Sequence, residues 1–315
     1  MGAPVLLPDA PVTDFDYQAW ATAAAHPELQ PKPEEFGHLD EARRVLLERA
    51  HHANLELPAF PSVAAKILNL IESPECDMRA LIKTIRLDAV VSAQVLRVAN
   101  SMAFSRGVQL TTVQEAAVRL GFKAIGNIAV AAATMSLLQE HERDIHDCFR
   151  ERWGALAHTF PRVAASSRWL SKAFNRGNPE EAYLAGLMHD LGKVVALELC
   201  GEMVQDGDLA ADVHPGVIER LIDDTHVELG TLLMKEWGMP WAIAFVCMKH
   251  HVQNPQAAKE HDLLHVVRIA SALDAARTNP WASASLKDEL LWSAQALELK
   301  LEPFQVVAEE LKALH

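Results

Sequence analysis

The chain has 315 residues, of which 50% are hydrophobic and 23% charged, enough apolar material for a substantial core and too much for intrinsic disorder. Only 6% is aromatic, and Ala, Leu and Val dominate, which favours helices and excludes a β-barrel or collagen. A net charge of −13 argues against phosphate-backbone binding, so no nucleic-acid partner is expected. The four cysteines, at 76, 148, 200 and 247, form no CxxC pair and read as reduced thiols of a cytoplasmic protein. No apolar window is long enough to insert in a membrane, and nothing points to an organic cofactor.

Residues 1–38 are Pro-rich: Pro4, Pro8, Pro11, Pro27, Pro31 and Pro33 limit any element to a short helix over 17–25. This stretch reads as an extended arm or linker, or equally as a frayed tail. Asp40 then caps a helix over 40–50. Val63, Ile67, Leu70 and Ile71 mark one face of the next, which Ser73-Pro74 stops. Helices follow over 78–84 and 90–100, the first with Leu81, Ile82 and Ile85 inward, the second with Val91, Val95 and Val98. Thr112 opens a segment closed by Gly121, and 124–138 forms a longer apolar helix.

The polar run 139–147 reads as a boundary or as the solvated end of a helix, and the chain divides into a first helical block, 39–147, and a second, 148–279. In the second block helices are expected over 149–174, 180–200, 214–222, 225–236, 240–251 and 261–277, with Pro161 bending or restarting the first. Residues 280–315 supply two C-terminal helices, over 285–297 and 303–313, packed on the body. The fold class is all-α.

Fifteen histidines are unusual, and several lie at informative places. His189-Asp190 follows an apolar run, with Lys193 three residues on. His226, His250-His251 and Asp274 come later in the same block. Imidazole and carboxylate together suit divalent iron, manganese, zinc or nickel. Two such ions would activate a bridging water and clamp a phosphate, with Asp190 and Lys193 as the candidates for catalysis. Lys193 could hold a phosphate oxygen or pair with a carboxylate. Taken singly, each histidine is more often a cap or surface residue than a ligand, and Asp274 could equally be a solvated helix residue.

Ala182-Tyr183-Leu184-Ala185-Gly186-Leu187-Met188-His189-Asp190-Leu191-Gly192-Lys193 closely resembles the central motif of the HD superfamily, and more closely its signalling branch, the HDOD domain. The resemblance spans about 50 to 278. It includes the LPxxP opening at Leu57–Pro61, Leu81–Asp88 (with Ala89 where Pro is usual), and Leu96–Ser101. It continues through Ala116–Gly121, His226–Gly230, Trp237–Pro240 and His250-His251.

The resemblance implies a multi-helical HDOD-like fold with an HD-like C-terminal lobe. It implies a role in bacterial signal transduction through contacts with other signalling proteins or copies of itself, generally without catalysis. It also implies a ligand set of His189, Asp190, His226, His250, His251 and Asp274. His158 is the candidate for a further His on an earlier helix, although its spacing to Val163-Ala164 is one residue long and Pro161 intervenes. The cyclic-di-GMP branch is not matched, because Val252-Gln253-Asn254-Pro255 replaces its Gly-Tyr-Pro motif. Three functions stay open: a non-catalytic signalling module with or without metal, an HD-type metal-dependent phosphohydrolase, and a structural helical adaptor with vestigial histidines.

Overall fold

The computed structural model describes residues 39–51, 60–75, 77–100, 109–141, 149–210, 212–252, 261–278 and 285–300. The Pro-rich arm and the expected helix over 303–313 lie outside the described residues. Those described form helices and connecting turns, with no strand among them. In the first half the helices are α1 (Leu39–His51), α2 (Ser62–Glu72), α3 (Met78–Arg86), α4 (Ala89–Asn100), α5 (Val113–Leu120) and α6 (Phe122–His141). The second half holds α7 (Arg150–Phe174), α8 (Pro179–Met188), α9 (Gly192–Asp206), α10 (Pro215–Glu236), α11 (Trp241–Lys249), α12 (Asp262–Thr278) and α13 (Ser285–Ala296).

Local chemistry sets these boundaries. The Asp77 carboxylate caps α3. Thr112 and Glu115 close a reciprocal capping box at α5, and Gly121 ends that helix at φ 86°, a conformation other residues rarely adopt. Asn178 caps α8, with Pro179 in its first turn. The Asn100 amide brackets the segment after α4 by donating to Leu110 O and accepting from Leu110 N, both at 2.8 Å. The helix holding Pro161 does not restart there but continues to Phe174.

In the first block, α6 is the central helix, packed by α2 and α4 and joined to the second block by α8. In the second, α8 lies on α7 and α9 on α10, while α12 packs against α7, α8 and α13. One apolar core runs through both blocks, from Leu46 and Ile67 to Leu233 and Val267. A smaller cluster seals α13 onto α12 through Leu290, Ala294, Val266 and Ile269. Helix α1 belongs to the first block by sequence, yet it packs on α9 and α10. Arg49 there pairs with Asp206 at 2.8 Å and Asp208 at 2.6 Å, and His51 stands 2.8 Å from Glu228. Among the described residues no helix is long and apolar enough to cross a membrane.

Candidate metal centre

The expected helix over 180–200 is two helices. Met188 ends α8, Gly192 begins α9, and His189-Asp190-Leu191 forms the turn between them. The turn keeps near-helical dihedrals but switches to shorter bonds, Lys193 N to Asp190 O at 2.9 Å and Val194 N to Leu191 O at 3.0 Å. The break between the two helices carries no Gly or Pro in the turn itself. Conversely, the two helices expected over 214–236 are one, α10, which carries Asp223 and His226 on adjacent turns.

The start of α9 crosses α10 at backbone contact. A Cβ on Gly192 would stand 1.8 Å from the His226 carbonyl oxygen and 2.5 Å from Gly230 N. That contact brings Asp190 against His226, and α11 ends beside both with His250 and His251. One ligand atom each from Asp190, His226, His250 and His251 lie within 4.8 Å of one another. Asp190 Oδ1 is 3.1 Å from His250 Nε2 and 3.5 Å from His226 Nε2. The two Nε2 atoms are themselves 3.3 Å apart.

The protons of these rings can be placed by elimination. A carbonyl oxygen can only accept. His226 Nδ1 faces Asp223 O at 2.9 Å and Ile222 O at 3.1 Å, and His250 Nδ1 faces Cys247 O at 2.8 Å. Both Nδ1 atoms therefore carry the proton, and the neutral rings turn bare Nε2 lone pairs toward Asp190. Consistently, Asp190 Oδ1 is buried and accepts no hydrogen bond. Three electron-rich atoms facing one another with no proton between them are repulsive unless a cation lies among them. Nitrogen and carboxylate oxygen are the donors that zinc, iron, manganese or nickel accept. The residues present thus fit a divalent ion.

Electrostatics agree with neutral rings. Burial lowers the pKa of His189 and His251 to about 4 and depresses His226 and His250 as well. Burial opposes ionisation of Asp190, but the Lys193 ammonium beside it favours the carboxylate, and the carboxyl is held well below its ordinary range. The Lys193 ammonium settles one alternative by pairing with Asp190 Oδ2 at 2.8 Å.

Three of the expected ligands are not among these four atoms. His189 is buried beside them, with Nδ1 2.9 Å from Gly186 O and Nε2 3.2 Å from Ser271 Oγ and 3.5 Å from Asp190 Oδ2. Asp274 is held by Arg162 in a two-pronged pair, Nε to Oδ1 at 2.7 Å and a terminal nitrogen to Oδ2 at 2.9 Å. His158 is half-buried on α7 and does not line the adjoining cavity, whereas its neighbour Thr159 does. That cavity, about 90 Å³, lies between Asp190, Lys193, Arg152, Asp223, Ser271 and Asp274. Burial raises the Asp223 carboxyl to about 6.

Sequence reasoning missed Arg162, Arg268 and Glu289. Each bonds a partner on another helix or at its end, which only the fold reveals.

Comparison with known proteins places this geometry in context. A family model described as the HDOD domain matches residues 57–253. A structure from Shewanella amazonensis SB2B, provisionally described as a metal-dependent phosphohydrolase, is 21% identical with a TM-score of 0.65, over 88% of this chain and 99% of its own. An HDOD domain protein of unknown function from Geobacter sulfurreducens is 18% identical with a TM-score of 0.62, over 87% of this chain and 95% of its own. A provisionally described signal transduction protein from Marinobacter aquaeolei VT8 is 23% identical with a TM-score of 0.54, covering 93% of this chain and 65% of its own. An uncharacterised protein of Treponema pallidum (strain Nichols) is 23% identical over 222 residues, 69% of this chain but only 42% of the relative's length. At these identities the likeness is one of fold.

Proposed function

The chain belongs to the HDOD domain family, and on that premise we propose that it is a non-catalytic signalling module built around one divalent metal ion. Asp190, His226, His250 and His251 would hold the ion in an N3O set, whose bound charge would offset the buried carboxylate and the facing lone pairs. His189, its Nε2 3.5 Å from Asp190 Oδ2, would stand beside the ion on the Ser271 side of the carboxylate. The ion would supply folding energy and a defined local geometry, which a partner protein can read.

The observation that carries the non-catalytic reading is the Arg162–Asp274 pair. Two-metal hydrolysis needs a second ion beside the first, with carboxylates free to hold it. Here the Arg162 guanidinium occupies both oxygens of Asp274, supplying in protein form the positive charge a second ion would bring. The cavity supports the same reading. At about 90 Å³ it is far below the ~300 Å³ usual for a small-molecule pocket, and acids outnumber bases along its wall. A surface for protein contact is available on the first block, where Leu87, 79% exposed, lies beside Arg79, Lys83 and Arg86, and Val118 is 81% exposed.

Untagged protein reconstituted separately with iron, manganese, zinc and nickel tests the reading. The expectation is about one ion per chain, lost in His226→Ala and Asp190→Ala, and no turnover of phosphomonoesters, nucleotides or cyclic dinucleotides. Turnover that disappears in Asp190→Ala would establish the phosphohydrolase instead, and metal-free wild-type protein would leave the structural adaptor.

A further inference from the structure

Helix α13 lies beyond residue 253, where the family match ends, yet it reaches the ligand turn. The Glu289 carboxylate is 4% exposed and holds both oxygens 3.1 Å from His251 Nδ1. One turn on, Trp292 covers Arg268, whose guanidinium carbon is 4.4 Å from the ring centroid. Arg268 in turn donates to the carbonyls of His250 at 2.6 Å, Lys249 at 2.6 Å and Val252 at 2.5 Å. The carbonyls at the end of α11 are thus tied to α12 by Arg268, and Arg268 is clamped by α13.

His251 depends on this arrangement more than the other ligands do. His226 and His250 fix their Nδ1 atoms on carbonyls of their own chain segments, a turn or less away. His251 finds its Nδ1 partner 38 residues away, on α13, and its side chain is 34% exposed where those of the other three ligands are 2–7%. Packing alone leaves it the least constrained of the four. A buried carboxylate is also costly to keep, and the neighbouring face of α13, with Leu290, Ala294 and Leu297, shows that apolar residues seal this helix without it. A carboxylate on the far nitrogen of a ligating imidazole orients the ring and makes it a stronger donor.

We propose that α13 is a working part of the metal centre: Glu289 is a positioning residue that aims His251 at the ion, and the bound ion in return fastens α13 to the body. This rests on the metal-centre reading above and adds its regulation. Metal occupancy becomes readable at α13, some distance in sequence from the family core, and anything that displaces α13 weakens the site.

The test uses the full chain at pH 8, where Glu289, raised by burial to about 7, is ionised, with Zn²⁺ alone as the probe against a chromophoric chelator. Glu289→Ala is expected to lower zinc affinity about 10–100-fold with stoichiometry preserved. Glu289→Gln, which keeps the size and one acceptor oxygen, should lose only several-fold, and it carries the test if the alanine variant does not fold. Hydrogen exchange at 289–296 should slow on adding zinc to the wild type and respond less in either variant. Zinc affinity equal to wild type in Glu289→Gln and, if it folds, in Glu289→Ala overturns the positioning role, and wild-type exchange at α13 indifferent to zinc overturns the coupling. Wild-type protein that binds no zinc or other divalent ion overturns the metal-centre reading and this inference together.

Discussion

Arg162 decides more about the chemistry of the site than any histidine does. Its guanidinium bonds both oxygens of Asp274, whose side chain is 4% exposed. Removing the arginine would take a bidentate cationic partner from a buried carboxylate, a loss of about 3–5 kcal/mol unless another cation takes its place. Arg162→Gln is therefore expected to lower the melting temperature of the metal-free protein and to raise metal uptake toward two ions per chain at high metal concentration. Uptake fixed at one ion, by metal analysis, would mean that Asp274 is not available to a second ion even when freed. The candidate ligands were legible in the sequence because imidazole and carboxylate announce themselves by type and order. Their division into four that converge and three that do not was not legible. It depends on Arg162 and Ser271, which are near Asp274 and His189 only after folding.

Most helices were legible from periodicity and caps: Thr112 with Gly121 and the stop at Ser73-Pro74 fall at or beside observed ends. Two features of the second block were not. Between 182 and 191 every residue is buried, so no polar face exists whose drift would reveal the break at His189. In α10 the polar pair Asp223-Asp224 reads as an interruption, yet the helix continues, with Thr225 Oγ1 donating to Leu221 O at 2.7 Å. The crossing of α9 over α10 depends on Gly192, where any side chain would overlap the His226 carbonyl. Gly192→Ala is expected to cost about 1–3 kcal/mol or more through overpacking and, by pushing α10 away, to separate Asp190 from His226. Denaturant unfolding should show the first effect and weakened metal binding the second. A variant as stable and as tight-binding as wild type would refute this account of the crossing.

Because one core runs from Leu46 to Val267 through both blocks, the molecule is expected to unfold in a single transition, and that transition should be sensitive to acid. In the metal-free fold His189 and His251 titrate near 4 and His226 and His250 are also depressed, whereas unfolded histidine titrates near 6.5. Between those values the unfolded chain binds more protons, so stability falls as pH drops below about 6.5. Asp223 near 6 and Glu289 near 7 act oppositely, since they take up protons while folded, but they are two groups against four. Calorimetry of the metal-free chain from pH 7.5 to 5 should show one endotherm moving to lower temperature; two endotherms, or a constant midpoint, would contradict this. The same architecture has a mechanical consequence. Helix α1, gripped by Arg49 and His51, hands its load to α9 and α10 rather than to the block that follows it in sequence. A pull on the chain at residue 39 would thus be delivered directly to the two helices that flank Asp190 and His226, bypassing the first block.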